Sequence, residues 1–377
     1  MTTRETAGAI VTIDLDAIAG NWRHLKARLG SGTDCGAVVK ANAYGLGAGR
    51  IAPALAAAGC RYFFVVTIDE ALELAPLLPG DATVVVLAPV IAGNEALIAR
   101  AGLTPTLNTL GDIEAWSAFA RAQDAPLPAV LHADTGMRRL GLTPDEVSRI
   151  AADPKMLAGV AVQLLMSHLA CADEPRHPLN ERQLAGFIAA KARLASAGIA
   201  PPVSLANSSG IFLGPEYRFD LARPGAALFG IAPLPGEPNP MAPAVRVQAK
   251  ILQVRDVDAP DTVGYGASHR VSRPGRVATV ASGYADGYPR SLSNAGTCFI
   301  GEYRVPVVGR VSMDLTTIDV TGVPEPLARP GALVDLIGPL NPLDDVAAAA
   351  GTIGYELLTR IGTRAHRVWH GGNGTRP

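Results

Sequence analysis

Lys40 closes the apolar run Cys35-Gly36-Ala37-Val38-Val39, and Asn42, Ala43, Tyr44 and Gly45 follow almost at once. A lysine emerging from a dry strand is poorly hydrated. That disfavours its charged form and leaves an amine suited to Schiff-base chemistry. The alternative is a strand-end lysine that simply reaches solvent. Two later segments have the make-up of anion-binding loops: Asn207-Ser208-Ser209-Gly210 offers hydroxyls, and Arg223-Pro224-Gly225-Ala226 offers a glycine that admits close backbone approach. Asp134–Gly141 carries Arg139, a planar donor fork matched to a carboxylate or phenolic oxygen, or else to a surface ion pair. His168, in Ser167-His168-Leu169, can stack on a flat ring or pack in the core. Gly264-Tyr265-Gly266 sets a phenol between two glycines, where it can act as a general base or pack over a hairpin. Gly283–Gly287, with Tyr284, and Gly309–Asp314, with Met313, are similarly turn-rich.

These residues need elements to position them. Eight short apolar runs fill the first 230 residues: 36–40, 62–66, 83–88, 103–107, 129–132, 160–165, 203–206 and 219–222. Stretches of helical period separate them, among them 16–29, 68–78, 112–122, 143–152 and 180–197. Thr67, Thr143 with Glu146 three residues on, and Asn180 are expected to cap three of these. Apolar strands alternating with amphipathic helices imply a parallel sheet covered on both sides, and eight units imply a closed (β/α)8 barrel. An open doubly wound sheet is the competing architecture, but Gly45-Leu46-Gly47-Ala48-Gly49 has the wrong spacing for its glycine fingerprint. Lys40 then sits at the C-terminal end of barrel strand one, and the two anion loops follow strands seven and eight, where barrels often bind phosphate. A lysine and a phosphate site on one barrel mouth suggest pyridoxal 5′-phosphate. Five prolines between Pro233 and Pro243 break the rhythm. Strand-like segments with Gly/Pro turns then predict a mainly β domain. The expected division is residues 1–243 as the barrel and 244–377 as the second domain.

The chain has 377 residues, 48% of them hydrophobic, so it can bury a large core. A net charge of -1 argues against a strongly basic nucleic-acid binder. No apolar run approaches the roughly 18–20 residues of a membrane span. Asp14 and Asp16 stand where a signal peptide needs an apolar stretch. Four widely spaced cysteines show neither a disulfide framework nor metal-ligand spacing and fit a reducing cytoplasm.

Taken together, the segments resemble the alanine racemase family over nearly the whole chain. Ala37-Val38-Val39-Lys40-Ala41-Asn42-Ala43-Tyr44-Gly45 looks like that family's cofactor-lysine signature. Asp134–Gly141, Ala206–Ser208, Arg223–Gly225, Gly264–Gly266, Gly283–Gly287, Gly309–Asp314 and Gly354-Tyr355-Glu356 follow in the family's order. The resemblance implies a homodimer that interconverts L-alanine and D-alanine, with its active site shared between subunits, and supplies D-alanine for peptidoglycan. It implies that Lys40 holds the cofactor and serves one face of the substrate, while Tyr265 from the partner subunit serves the other. Tyr44, Ser208, Gly225, Ala226 and Tyr355 would hold the phosphate. Arg223 would face the ring nitrogen, with His168 nearby. Arg139 and the Met313 backbone would hold the substrate carboxylate, and Tyr284 would narrow the entrance. Four positions depart from the commonest pattern. His132 stands where many members carry a carbamylated lysine, Leu46 where a histidine is common, Ser312 for a frequent cysteine, and Gly354 for a frequent asparagine. A broad-specificity or serine-acting racemase is the alternative within the family. A decarboxylase of similar architecture would need a cysteine near the substrate, and Cys298 is the only one in the second domain.

Overall fold

The computed structural model describes residues 3–123 and 125–372. Ala37–Val38, Tyr62–Val65, Thr83–Val86, Thr104–Leu107, Leu127–His132, Val160–Met166 and Val203–Ser204 pair in that order as one parallel sheet. Leu221–Ala222 pairs with Asp34–Cys35. Hydrogen bonds from Gly36 N–H to Ala222 O (2.9 Å), Val38 N–H to Pro224 O (2.8 Å) and Arg223 N–H to Ala206 O (2.8 Å) close the ring. The expected (β/α)8 barrel is therefore present. Its first strand comes in two pieces, Asp34–Cys35 pairing with the last strand and Ala37–Val38 with the second, and Gly36 between them packs closely on the second. A Cβ there would lie 2.9 Å from the Phe64 ring and 3.1 Å from Tyr62 O.

Strand alternation sorts the core into two. Phe64, Val85, Val130, Leu164, Met166 and Leu221 fill the barrel interior. Phe63, on the alternate side of its strand, joins a larger cluster to which the helices contribute residues such as Trp116. The Thr67–Glu70 and Thr143–Glu146 capping boxes form as their spacing implies. Asn180 is not a cap: Pro178 opens its helix, His177 caps it, and Asn180 is buried inside the first turn, donating to Glu174 O at 3.0 Å. Proline is pre-shaped for the first helical position, and it fixes that start.

The second domain is an antiparallel sheet centred on Val245–Val257, flanked by Gly275–Val280 and Leu333–Ile337. The helices Leu343–Ala349 and Gly354–Thr359 accompany it. One grouping made above is corrected. Residues 9–14, counted with the barrel, lie in this sheet: Ala9–Asp14 pairs antiparallel with Val245–Val257 and parallel with His366–His370. The strand is buried along most of its length. Its last residue, Asp14, caps the first barrel helix Leu15–Leu29, accepting from Ala17 N–H at 2.8 Å. No helix among the described residues is long and apolar enough to cross a membrane.

Candidate active site

The segment after Lys40 takes a backbone that its composition does not announce. Ala41, Asn42, Ala43 and Tyr44 all have φ between 51° and 56°. A left-handed turn of non-glycine residues costs about 1–2 kcal/mol per residue, so other contacts must hold it. Asn42 Oδ1 accepts from Ala48 N–H at 2.8 Å, and Gly45 N–H reaches Ala41 O at 2.7 Å. From the C-terminal strand, Arg367 Nε donates to Gly45 O (3.1 Å) and Trp369 Nε1 to Leu46 O (2.9 Å). Nothing in the sequence singles out Glu70 for this site, yet its carboxylate accepts from Ala41 N–H at 2.6 Å. The Thr67-x-x-Glu70 spacing signals only a helix cap.

The turn carries Lys40 and Tyr44 onto the wall of a cavity of about 510 Å³ at the C-terminal ends of the strands, a size ordinary for a small-molecule site. Arg139, His168, Ser208, Arg223, Gly225, Ala226 and Tyr355 line the same cavity, as do His132 and Asn207. A cavity of about 550 Å³ at the opposite barrel end, lined by Asp34, Tyr62, Gln163 and Lys191, gathers no comparable set of groups.

Each cavity residue has a local cause. Asp134 Oδ1 accepts from Gly136 and Arg138 N–H at 2.9 and 3.1 Å, curling the loop that presents Arg139. The Arg139 guanidinium makes no hydrogen bond or ion pair among the described residues. Arg223, 5% exposed, donates to Ser204 Oγ and Ser167 O. It forms no ion pair with a carboxylate among the described residues, and burial lowers its pKa to about 10, so it stays charged at neutral pH. Ser208 Oγ accepts from Gly225 and Ala227 N–H at 3.0 and 3.3 Å, gathering hydroxyl and backbone donors into one cup. The Tyr44 ring closes that cup, 6.1 Å from the Tyr355 ring. A Cβ on Gly225 would press on the Tyr44 hydroxyl and sit 3.3 Å from Val38 Cβ.

The electrostatics follow from burial and the two arginines. Burial, then Arg139, lowers the Lys40 pKa, and Glu70 opposes them. Burial, then Arg223, brings His132 down to about 4. The same two causes, in the same order, bring His168 to about 3. His132 Nδ1 meets Asn108 Oδ1 at 2.7 Å, while Asn108 Nδ2 donates to Thr106 O. The proton of the neutral ring therefore sits on Nδ1.

Three expected site residues lie outside this cavity. Tyr265 is 72% exposed, and Met313 and Tyr284 are also exposed. Their loops are knit together, with Tyr284 N–H donating to Ser312 O (3.0 Å) and Ala285 N–H to Met313 O (2.9 Å). Tyr284 and Met313 thus lie in adjoining exposed loops of the second domain.

Family models for the N-terminal and C-terminal domains of alanine racemase match residues 13–233 and 244–369. The alanine racemase of Rhodospirillum rubrum is 52% identical over 97% of this chain and 97% of that protein. The catabolic alanine racemase of Mesorhizobium japonicum is 47% identical over 97% of this chain and 94% of its own. The crystal structure of alanine racemase from Bartonella henselae with covalently bound pyridoxal phosphate superposes with a TM-score of 0.92 at 42% identity, covering 97% of this chain and all of that one. The chain belongs to the alanine racemase family. The two family models meet across the proline-rich stretch between Pro233 and Pro243, and every cavity residue named above from Lys40 to Ala226 lies in the first.

Proposed function

We propose that this chain interconverts L-alanine and D-alanine with two proton-transfer groups, Lys40 on one side of the substrate and Tyr265 of a partner subunit on the other. The chain is a pyridoxal-phosphate-dependent amino-acid racemase. The observation that carries the site assignment is Lys40, disposed to lose its proton, on the cavity that also holds the Ser208–Gly225 cup and Arg139.

The residues present fit the cofactor. Gly225 lets the Tyr44 hydroxyl approach the loop more closely than a side chain would allow, and the Ser208 hydroxyl and the loop's backbone N–H groups suit a phosphate. Arg223 is a buried cation with no carboxylate paired to it among the described residues, and it suits an acceptor such as a ring nitrogen. Tyr44, Ser208, Gly225, Ala226 and Tyr355 would hold the phosphate, Arg223 would face the ring nitrogen, and Lys40 would hold the cofactor covalently. When bound, the cofactor draws electron density from the substrate's α-carbon and makes its proton removable.

Racemisation takes a proton from one face and returns one to the other, and a single base tends to return the proton to the face it came from. A burial-lowered Lys40 has more free amine at neutral pH and can take the proton at Nζ. A phenol from a second subunit supplies the opposite face. Arg139, with no hydrogen-bond or ion-pair partner among the described residues, is placed to grip the substrate carboxylate with both arms of its fork. The Met313 backbone N–H of the partner would assist it. Arg223 does not give up its proton readily, so it offers the ring nitrogen a hydrogen bond rather than an acid. Tyr355 on the cavity wall, together with a partner subunit's Tyr284 at the entrance, would favour a side chain as small as a methyl group over a larger one. Such an enzyme suits supply of D-alanine for peptidoglycan.

The test is proton exchange. Incubated with L-alanine in heavy water, the cofactor-loaded protein is expected to exchange the α-proton while D-alanine accumulates in step. Exchange without D-alanine would mean one working face only and would remove Tyr265 from its role.

A further inference from the structure

Glu70 is the third residue of the helix Ile68–Leu74. Its Oε2 caps that helix, accepting from Val66 N–H at 2.8 Å and Thr67 N–H at 3.3 Å. Its Oε1 leaves the helix and accepts from Ala41 N–H at 2.6 Å. Ala41 directly follows Lys40 and opens the left-handed turn. Two other capping boxes in the chain show what capping alone requires. Asp112 takes Asn108 N–H (2.8 Å) and Thr109 N–H (3.0 Å) on one oxygen. Glu146 takes Thr143 N–H (2.8 Å) and the Thr143 hydroxyl (3.0 Å), also on one oxygen. One carboxylate oxygen therefore suffices for a cap, and the shorter aspartate can provide it. The second oxygen of Glu70, and the methylene that extends it to Ala41, exceed what the helix needs.

We propose that Glu70 is a positioning residue for Lys40: its Oε1 clamps the first residue of the left-handed turn and so fixes the direction in which the lysine leaves the backbone for the cavity. A carboxylate bonded to a backbone N–H is among the stronger hydrogen bonds, and the turn it holds is one the chain does not adopt on local preference. The clamp joins two barrel units, because Glu70 belongs to the helix after the second strand and Ala41 to the loop after the first.

The proposal rests on Lys40 being the catalytic amine. Glu70→Asp separates the two roles, since it keeps the charge and, by the Asp112 precedent, the cap, but is one methylene short of Ala41. In the cofactor-loaded enzyme, kcat for racemisation is expected to fall about tenfold to a hundredfold with KM within about twofold, the signature of a displaced reacting group. Amide hydrogen exchange in residues 40–47 is expected to quicken about tenfold or more, with the thermal midpoint unchanged. Glu146→Asp, a cap remote from the cavity, is expected to move none of these. A folded Glu70→Asp with wild-type kcat overturns the proposal, as does a loss of kcat no larger than its loss of folded protein. Glu70→Gln is the second variant. It keeps the length but turns a donor toward one of the three N–H groups, so it should share the kcat loss, and wild-type kcat there overturns the clamp as well. Racemisation surviving in Lys40→Ala would instead overturn the role of Lys40, while faster exchange at Ala41 in Glu70→Asp would still report the clamp.

Discussion

His132 carries no charge in the folded chain at neutral pH, because burial and then Arg223 hold its pKa at about 4 against an ordinary 6.5. Unfolded, the same imidazole takes up a proton as the pH falls through 6.5. Between those two values the unfolded chain binds more protons than the folded one, so stability is lost as the pH falls. His168, held at about 3, adds a contribution of the same sign. The loss from His132 alone is about 2 kcal/mol by pH 5. Urea midpoints measured from neutral pH down to about pH 5 should therefore fall for the wild type and fall less for His132→Gln. Equal slopes in the two proteins would show that His132 is not the group responsible. At this scale much was legible in residue types. Lys40, Tyr44, Arg139, His168, Ser208 and Arg223 do share one cavity. Glu70 was not legible, because its function depends on a contact 29 residues away.

At the scale of elements, the cofactor cup depends on the close approach of Tyr44 to its loop as much as on donors. Gly225 has an ordinary negative φ of -128°, so glycine is needed there for space and not for conformation. Gly225→Ala would push a methyl against the Tyr44 hydroxyl and Val38. We expect cofactor affinity to weaken by about tenfold or more, equivalent to about 1.4 kcal/mol, in a titration of the cofactor-free protein with pyridoxal phosphate. Unchanged affinity would place the phosphate elsewhere. Helix starts with a hydroxyl and a carboxylate three residues apart, as at Thr143, were legible because both partners are local. The turn after Lys40 was not. Ala-Asn-Ala-Tyr contains no glycine, and such residues prefer the right-handed form. The bonds to Glu70, Arg367 and Trp369 reverse that preference, and all three residues lie far away in sequence.

For the whole molecule, the decisive fact is separation. Tyr265, at 72% exposure, does not line the cavity that holds Lys40 in its own chain. Tyr284, Met313 and Leu315 expose apolar surface in loops bonded to one another, the kind of patch that marks an interaction site, and Tyr265 is exposed in the same domain. In a two-fold dimer each such face would meet the other subunit's barrel mouth. Lys40→Ala and Tyr265→Ala homodimers are both expected to be nearly inactive. Mixing the two under conditions that exchange subunits should restore activity, because one site of each hybrid is intact. No recovery, with hybrid formation verified by mass, would confine Tyr265 to its own chain. The second domain also reaches back to the barrel through both chain ends. Ala9–Asp14 enters its sheet and runs straight into the first barrel helix, while Arg367 and Trp369 on the last strand hold the Lys40 turn.

The sequence by itself determined the barrel, the β domain after it, and which residue types could hold a phosphate, a carboxylate and an amine. Alternation, helical period and turn residues are local signals, and they survive without knowledge of the fold. Only the tertiary structure decided where the N-terminal strand pairs, which hand the Lys40 turn takes, and that Glu70 grips it. Those outcomes are set by hydrogen bonds and packing between residues far apart in the chain, which override local preference and leave no periodic trace.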